Sequence, residues 1–154
     1  ITRAQRYHQP LSCLFVDADH FKKINDRYGH NAGDRVLVAL AGSLRARLRT
    51  SDLATRYGGE EFALLLPHTD QQSACRLAEE ICATVAKRDI ALPDDQRIQI
   101  TVSIGVASLD LAVKAPAVTL GETLLNSADA AVYKAKAAGR NRVFCAGEAA
   151  GKPT

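Results

Sequence analysis

Four carboxylates stand at two places in the chain. Asp17 and Asp19 follow the apolar run 11–16 (LSCLFV), and Glu60 and Glu61 lie between a glycine pair and a second apolar run in YGGEEF, 57–62. Taken singly, acids in such places are solvated turn residues. Brought to one rim they repel unless a proton or a cation separates them, and a hard divalent cation is the natural solution. Oxygen-only ligands suit Mg²⁺ or Mn²⁺, and Mg²⁺ held by one or two carboxylates completes its shell with phosphate oxygens. The stretch DADHFKKINDRYGHNAGD, 17–34, adds Lys22, Lys23, Asn25, His30, Asn31 and Asp34. That density of charged and hydrogen-bonding side chains suits a nucleotide.

Whether the acids meet depends on the elements that carry them. LSCLFV reads as a short buried strand. From Asp34 onward Val36, Leu37, Leu40, Leu44 and Leu48 recur at helical spacing, with Arg45, Arg47 and Arg49 near the end where the helix dipole favours cations. Residues 53–57 and 62–66 read as two strands, and Gly58-Gly59 between them is expected to supply the positive φ of a tight hairpin. A second helix runs through Ala74, Leu77, Ala78, Ile81, Cys82 and Val85 behind a polar N-cap region. Residues 98–106 alternate as a strand should. A Pro-containing connection, 110–119, leads to a helix through Leu124, Leu125, Ala128, Ala131, Val132 and Ala135 that ends at Gly139, and 142–145 is a last short strand. The order strand, helix, strand, strand, helix, strand is an α+β, ferredoxin-like split βαβ unit with one strand added. In that unit the first two strands run parallel with the third antiparallel between them, so Asp17 and Glu60 are predicted to be neighbours.

A chain of 154 residues, 47% hydrophobic and 24% charged, has the make-up of one globular domain. Its net charge of +3, with bases scattered among acids, argues against a nucleic-acid or membrane surface. Cys13, Cys75, Cys82 and Cys145 show neither CxxC pairing nor zinc-spaced His. They are read as buried free thiols of a reducing compartment, with no disulfide or zinc. No apolar run approaches the roughly 20 residues that cross a bilayer, and no leader opens the chain. A cytoplasmic domain is expected, and the start at Ile1 suggests a piece of a longer protein, in which an anchor elsewhere stays open.

VDADHFKKINDRYGHNAGD (16–34), RYGGEEF (56–62), TVSIGVA (101–107) and ADAAVYKAKAAGRN (128–141) together resemble the signatures of the GGDEF family, the diguanylate cyclases, in its Glu variant. The likeness runs in order from about Arg6 to Phe144, which is far more specific than any one motif. It implies a domain like those of nucleotidyl cyclases and polymerase palms, with a mostly antiparallel sheet flanked by helices. The implied reaction joins two GTP into cyclic di-GMP and releases two pyrophosphates.

The resemblance also implies roles. Asp17, the Ala18 carbonyl and Glu60 match the metal positions, with two Mg²⁺ or Mn²⁺ per site; Ala18 stands where Ile is commoner. Glu60 further matches the acceptor of the attacking hydroxyl's proton. Glu61 is a secondary metal candidate or a turn residue. Lys22 matches a group that offsets phosphate charge in the transition state, and the N–H groups of Phe21 and Lys22 match a cradle for terminal phosphates. Asn25 and Asp34 match a guanine-reading pair, although Asp34 also suits a helix N-cap. His30 matches a further substrate contact. Lys136 and Arg140 match phosphate-binding cations, or are favourable charges at a helix C-terminus. Arg49 and Asp52, an RxxD pair, match the inhibitory product site.

The family pattern further implies a homodimer that opposes two GTP-loaded sites, and an upstream sensor or receiver module. The usual opening helix and DxLTGLxNRR-like stretch are missing ahead of Ile1. The expectation is therefore a single domain, 1–154, truncated at its N-terminus, with a flexible tail at 146–154. Two other readings stand beside the enzyme. One is a catalytically silent module that binds GTP or cyclic di-GMP, although such relatives usually lose the signature acids kept here. The other is a domain used only for dimerisation.

Overall fold

A computed structural model describes residues 1–147 of the chain. At its centre is β1 (Leu11–Ala18), all eight residues of which are buried. Its unbroken apolar run is explained by helices on both faces of the sheet. Side chains alternate: Leu14, Val16 and Ala18 face one core with Val36, Leu40 and Ile81, while Cys13 and Phe15 face a smaller one with Leu124, Ala128 and Val132. The first core is covered by α3 (His30–Arg45) and α4 (Gln71–Ala86), the second by α5 (Ala117–Ala137) and the short α1 (Thr2–Tyr7).

β3 (Glu61–Pro67) and β6 (Val102–Ser108) flank β1, both antiparallel to it. β2 (Leu53–Arg56) lies antiparallel outside β3, and β7 (Arg142–Cys145) lies parallel outside β6. The order β2-β3-β1-β6-β7 makes β1 and β2 parallel with β3 between them, as the split βαβ reading requires.

Four expectations need correction. The stretch after β1 contains a helix, α2 (Phe21–Tyr28), and α3 begins at His30, so Asp34 lies inside it and the N-cap position is Gly29 at φ 84°. The expected strand 98–106 is broken. β5 (Arg97–Ile98) pairs with β4 (Ile90–Ala91) in a separate ribbon, because β1 ends at Ala18 and offers no partner to β6 before Val102. Neither Gly58 nor Gly59 has positive φ. Finally, Cys75 and Cys145 form a disulfide, Cα–Cα 6.5 Å, where only free thiols were expected. β7 packs against α4 and brings together residues 70 apart in sequence, which no local spacing announces. Cys13 and Cys82 are free and buried as expected, and burial pushes both thiols up to about 11. Of the expected tail, Ala146 donates its N–H to the Val106 carbonyl; residues 148–154 lie outside the described residues.

Candidate active site

Asp17 stands opposite Glu61 in the β1–β3 register, and the Ala18 N–H donates to the Glu60 carbonyl at 3.2 Å. The end of β1 and the turn before β3 thus share one edge. Asp17 is only 3% exposed. Its Oδ2 accepts from Lys136 Nζ at 2.6 Å, and its Oδ1 is buried with no hydrogen-bond partner among the described residues. An unpaired carboxylate oxygen cut off from water is costly and wants a positive partner.

Burial raises the Asp17 carboxyl above its ordinary 3.8, against the Lys136 hydrogen bond and charge. Burial and the neighbouring Asp17 charge likewise raise Glu60 above 4.5. Both are relieved by added positive charge, so the donor set fits a hard divalent cation. Among the described residues no three His, Cys, Asp or Glu side chains group around a common point. A cation here would complete its shell from backbone, water or phosphate oxygens.

Arg56, not singled out in the sequence, holds the turn. Its Nε and Nη2 donate to the Gly59 carbonyl at 3.1 and 2.7 Å, and Nε also reaches the Gly58 carbonyl. The Tyr57 and Gly58 N–H groups both donate to the Glu61 carbonyl, and the Tyr57 ring meets Phe15 edge to face at 4.9 Å. The Glu61 carboxylate lies over Gly58, where an added Cβ would meet its Oε2. Glu61 thus folds back over its own turn.

Asp19, grouped with the rim because it follows the first apolar run, is turned away from it. Its oxygens accept from Thr101 Oγ1, Ser103 Oγ and the Asn141 N–H. Lys136 and Arg140 come from the end of α5, which closes with Gly139 at φ 115°, the Arg140 N–H on the Ala135 carbonyl and the Gly139 N–H on the Lys136 carbonyl. This is a Schellman cap, and Gly is the residue that takes its left-handed position. Lys136, in the last turn of α5, pairs with Asp17, and the Arg140 charge just beyond the cap also favours ionised Asp17.

α2 begins behind His20 at φ 57°, with no side-chain cap. The Phe21 and Lys22 N–H groups therefore have no intrahelical acceptor. The Phe21 ring is buried and Lys22 is exposed. Asn25 is pressed against α3 at Gly33, where a Cβ would overlap its Oδ1. The next residue, Asp34, is exposed and borders a groove of about 570 Å³ between α3 and β2, with Leu37, Arg45, Thr55 and Arg56. His30 is exposed at the first position of α3. Away from the rim, Arg49 and Asp52 form a turn in which the Arg49 N–H donates to Asp52 Oδ2 at 2.7 Å. Both line a cleft of about 300 Å³ with Arg47, Arg76 and Glu80.

The fold and its acidic edge define an α+β domain of the ferredoxin-like, palm type. Residues 1–142 match the family described as diguanylate cyclase, GGDEF domain, and the chain belongs to that family. It is 47% identical over 145 residues to diguanylate cyclase DgcM of Escherichia coli, covering 90% of this chain and 31% of that protein. The GGDEF domain of DgcB from Caulobacter crescentus, solved in complex with c-di-GMP, superposes with a TM-score of 0.87 at 32% identity, over 96% of this chain and 84% of that one. The active GGEEF domain of a diguanylate cyclase from Vibrio cholerae gives 0.85 at 35% identity, over 96% and 90%. The chain spans about a third of the length of the curated relatives it matches. No helix among the described residues is long and apolar enough to cross a membrane.

Proposed function

We propose that this domain condenses two GTP into cyclic di-GMP. The observation that carries the reading is the Asp17 edge: a buried carboxylate with one oxygen on Lys136 and the other unpartnered, beside a Glu60 of raised pKa. Asp17, Glu60 and the Ala18 carbonyl would hold Mg²⁺ or Mn²⁺, two per site in the family pattern, and bound metal supplies neutralisation of phosphate charge. In each half-reaction the 3′-oxygen of one GTP bonds to the α-phosphorus of the other. The α–β phosphoanhydride bond breaks and pyrophosphate leaves. Glu60 would also take the hydroxyl proton, a role secondary to its metal one because a bound cation weakens a carboxylate as a base.

The remaining residues bind and orient. The Phe21 and Lys22 N–H groups at the start of α2 offer a terminal-phosphate cradle, with Lys22, Lys136 and Arg140 as counter-charges. Asn25 and Asp34 read guanine, with His30 as a further contact. Asp34 is free for this because it caps no helix. Glu61 keeps a secondary metal role, although its fold over Gly58 favours the turn. Arg49 and Asp52 would take cyclic di-GMP as inhibitor, fork to guanine as Arg does, with Arg76 across the same cleft. Turnover would require a homodimer, and an upstream sensor or receiver module would control it.

Guanine selection tests the base-reading part of this proposal. A carboxylate accepts from the N1 and N2 donors of guanine and finds no such pair on adenine. In calorimetry with Mg²⁺, Asp34→Ala is expected to narrow the preference for GTP over ATP roughly 10–100-fold. A preference unchanged by the substitution would remove Asp34 from base recognition.

A further inference from the structure

Two consecutive non-glycine residues, Arg140 at φ 62° and Asn141 at φ 46°, sit in the left-handed region directly after the α5 cap. Such a backbone costs free energy for residues other than glycine, less for Asn than for Arg, and two in succession need surrounding bonds to hold them. Upstream, the cap bonds end at the Arg140 N–H. Downstream, β7 pairing begins at Arg142 opposite Ser103. Between them the Asn141 N–H donates to Asp19 Oδ2 at 3.0 Å.

Asp19 is 3% exposed and itself fixed on every side. Thr101 Oγ1 donates to Oδ2 and Ser103 Oγ to Oδ1, each at 2.7 Å, and the Asp19 N–H donates to the Thr101 carbonyl at 2.9 Å. One carboxylate thus joins three pieces of chain: the end of β1 with Asp17, the start of β6, and the turn that carries Arg140. With both oxygens engaged and facing β6, it is not a rim ligand.

The geometry points to Asp19 as a positioning residue that latches the 140–141 turn, so that Arg140 is held where it reaches the terminal phosphates of a bound nucleotide. This rests on the reading of Arg140 as a phosphate ligand. The latch needs an acceptor rather than a charge. Asn at position 19 keeps a carbonyl oxygen for the Asn141 N–H and Thr101 hydroxyl, and its amide can donate to Ser103 Oγ, whose hydroxyl turns to accept. Ala keeps none of these bonds.

The test titrates Asp19→Ala, Asp19→Asn, Arg140→Ala and the double variant Asp19→Ala/Arg140→Ala by calorimetry. The two ligands, in Mg²⁺, are a β,γ-imido GTP analogue and guanosine monophosphate. Asp19→Ala and Arg140→Ala are each expected to weaken the analogue about 10-fold and to leave the monophosphate unchanged, with the double variant no weaker than Arg140→Ala. Asp19→Asn should bind within about twofold of the parent chain. Equal losses for both ligands, additive losses in the double variant, or an Asp19→Asn as weak as Asp19→Ala would each overturn the latch. An unaffected Asp19→Ala beside a weakened Arg140→Ala overturns the latch alone. An unaffected Arg140→Ala overturns the phosphate role of Arg140 with it. If Asp19→Ala does not fold, Ser103→Ala removes one of the bonds that fix the carboxylate. It is expected to weaken the analogue about threefold and spare the monophosphate, and unchanged analogue binding overturns the proposal.

Discussion

Replacing Glu60 with glutamine is expected to lower cyclic di-GMP formation by about 10³-fold, within the range that a positioned acid–base group contributes. The neutral amide can neither take the 3′-hydroxyl proton nor offset a cation beside Asp17. The same substitution should make the ligand-free chain more stable. Burial and the Asp17 charge raise the Glu60 carboxyl above its ordinary 4.5, so the folded chain binds this proton more tightly than the unfolded one. The carboxyl therefore costs stability as pH rises through and beyond that value. Glutamine does not ionise, so the gain in melting temperature should grow between pH 4 and pH 7. Chromatography of the products and thermal scans at the two pH values check both halves. A variant that turns over at the parent rate, or is equally stabilised at both pH values, contradicts the account of this residue.

Gly105→Ala is expected to cost about 3 kcal/mol or more, at the upper end for overpacking a core. Gly105 lies in β6 beneath α5, and a methyl group there would be driven into the Ala128 carbonyl and the Val132 N–H. These are backbone atoms of a helix, so no side chain can swing aside. α5 would have to lift from the sheet, taking Lys136 and Arg140 away from Asp17. Urea unfolding measures the loss, and a change below about 1 kcal/mol would show that helix and sheet part easily.

The convergence of Asp17 and Glu60 was legible because it depends only on element order and on the parity of a known topology. Both survive errors of a residue or two at strand ends. α2 was not legible: only Phe21 and Ile24 carry an apolar face in a stretch crowded with Lys, Asn, Asp and Arg. Asp19 misled for a geometric reason. It follows the same apolar run as Asp17, yet β1 stops at Ala18 and the chain reaches a left-handed His20, which turns Asp19 toward β6. The glycine pair was correctly placed in a turn but given the wrong service, since neither Gly58 nor Gly59 takes a positive φ. The Cys75–Cys145 pair depends on tertiary packing alone, and nothing in its spacing could have shown it. Arg56 bonds only to carbonyls two and three residues on, so what hid it was the orientation of its side chain rather than its distance in sequence.

The central claim, that this rim makes cyclic di-GMP and does not merely bind nucleotide, is tested by incubating the chain with GTP and Mg²⁺ over a range of chain concentrations. Two loaded sites must face each other, so the rate per chain is expected to rise with concentration and to rise again when two copies are joined by a dimerising fusion. Binding of GTP with no cyclic di-GMP at any concentration, even in the fused dimer, would contradict it and leave the silent binding module as the reading.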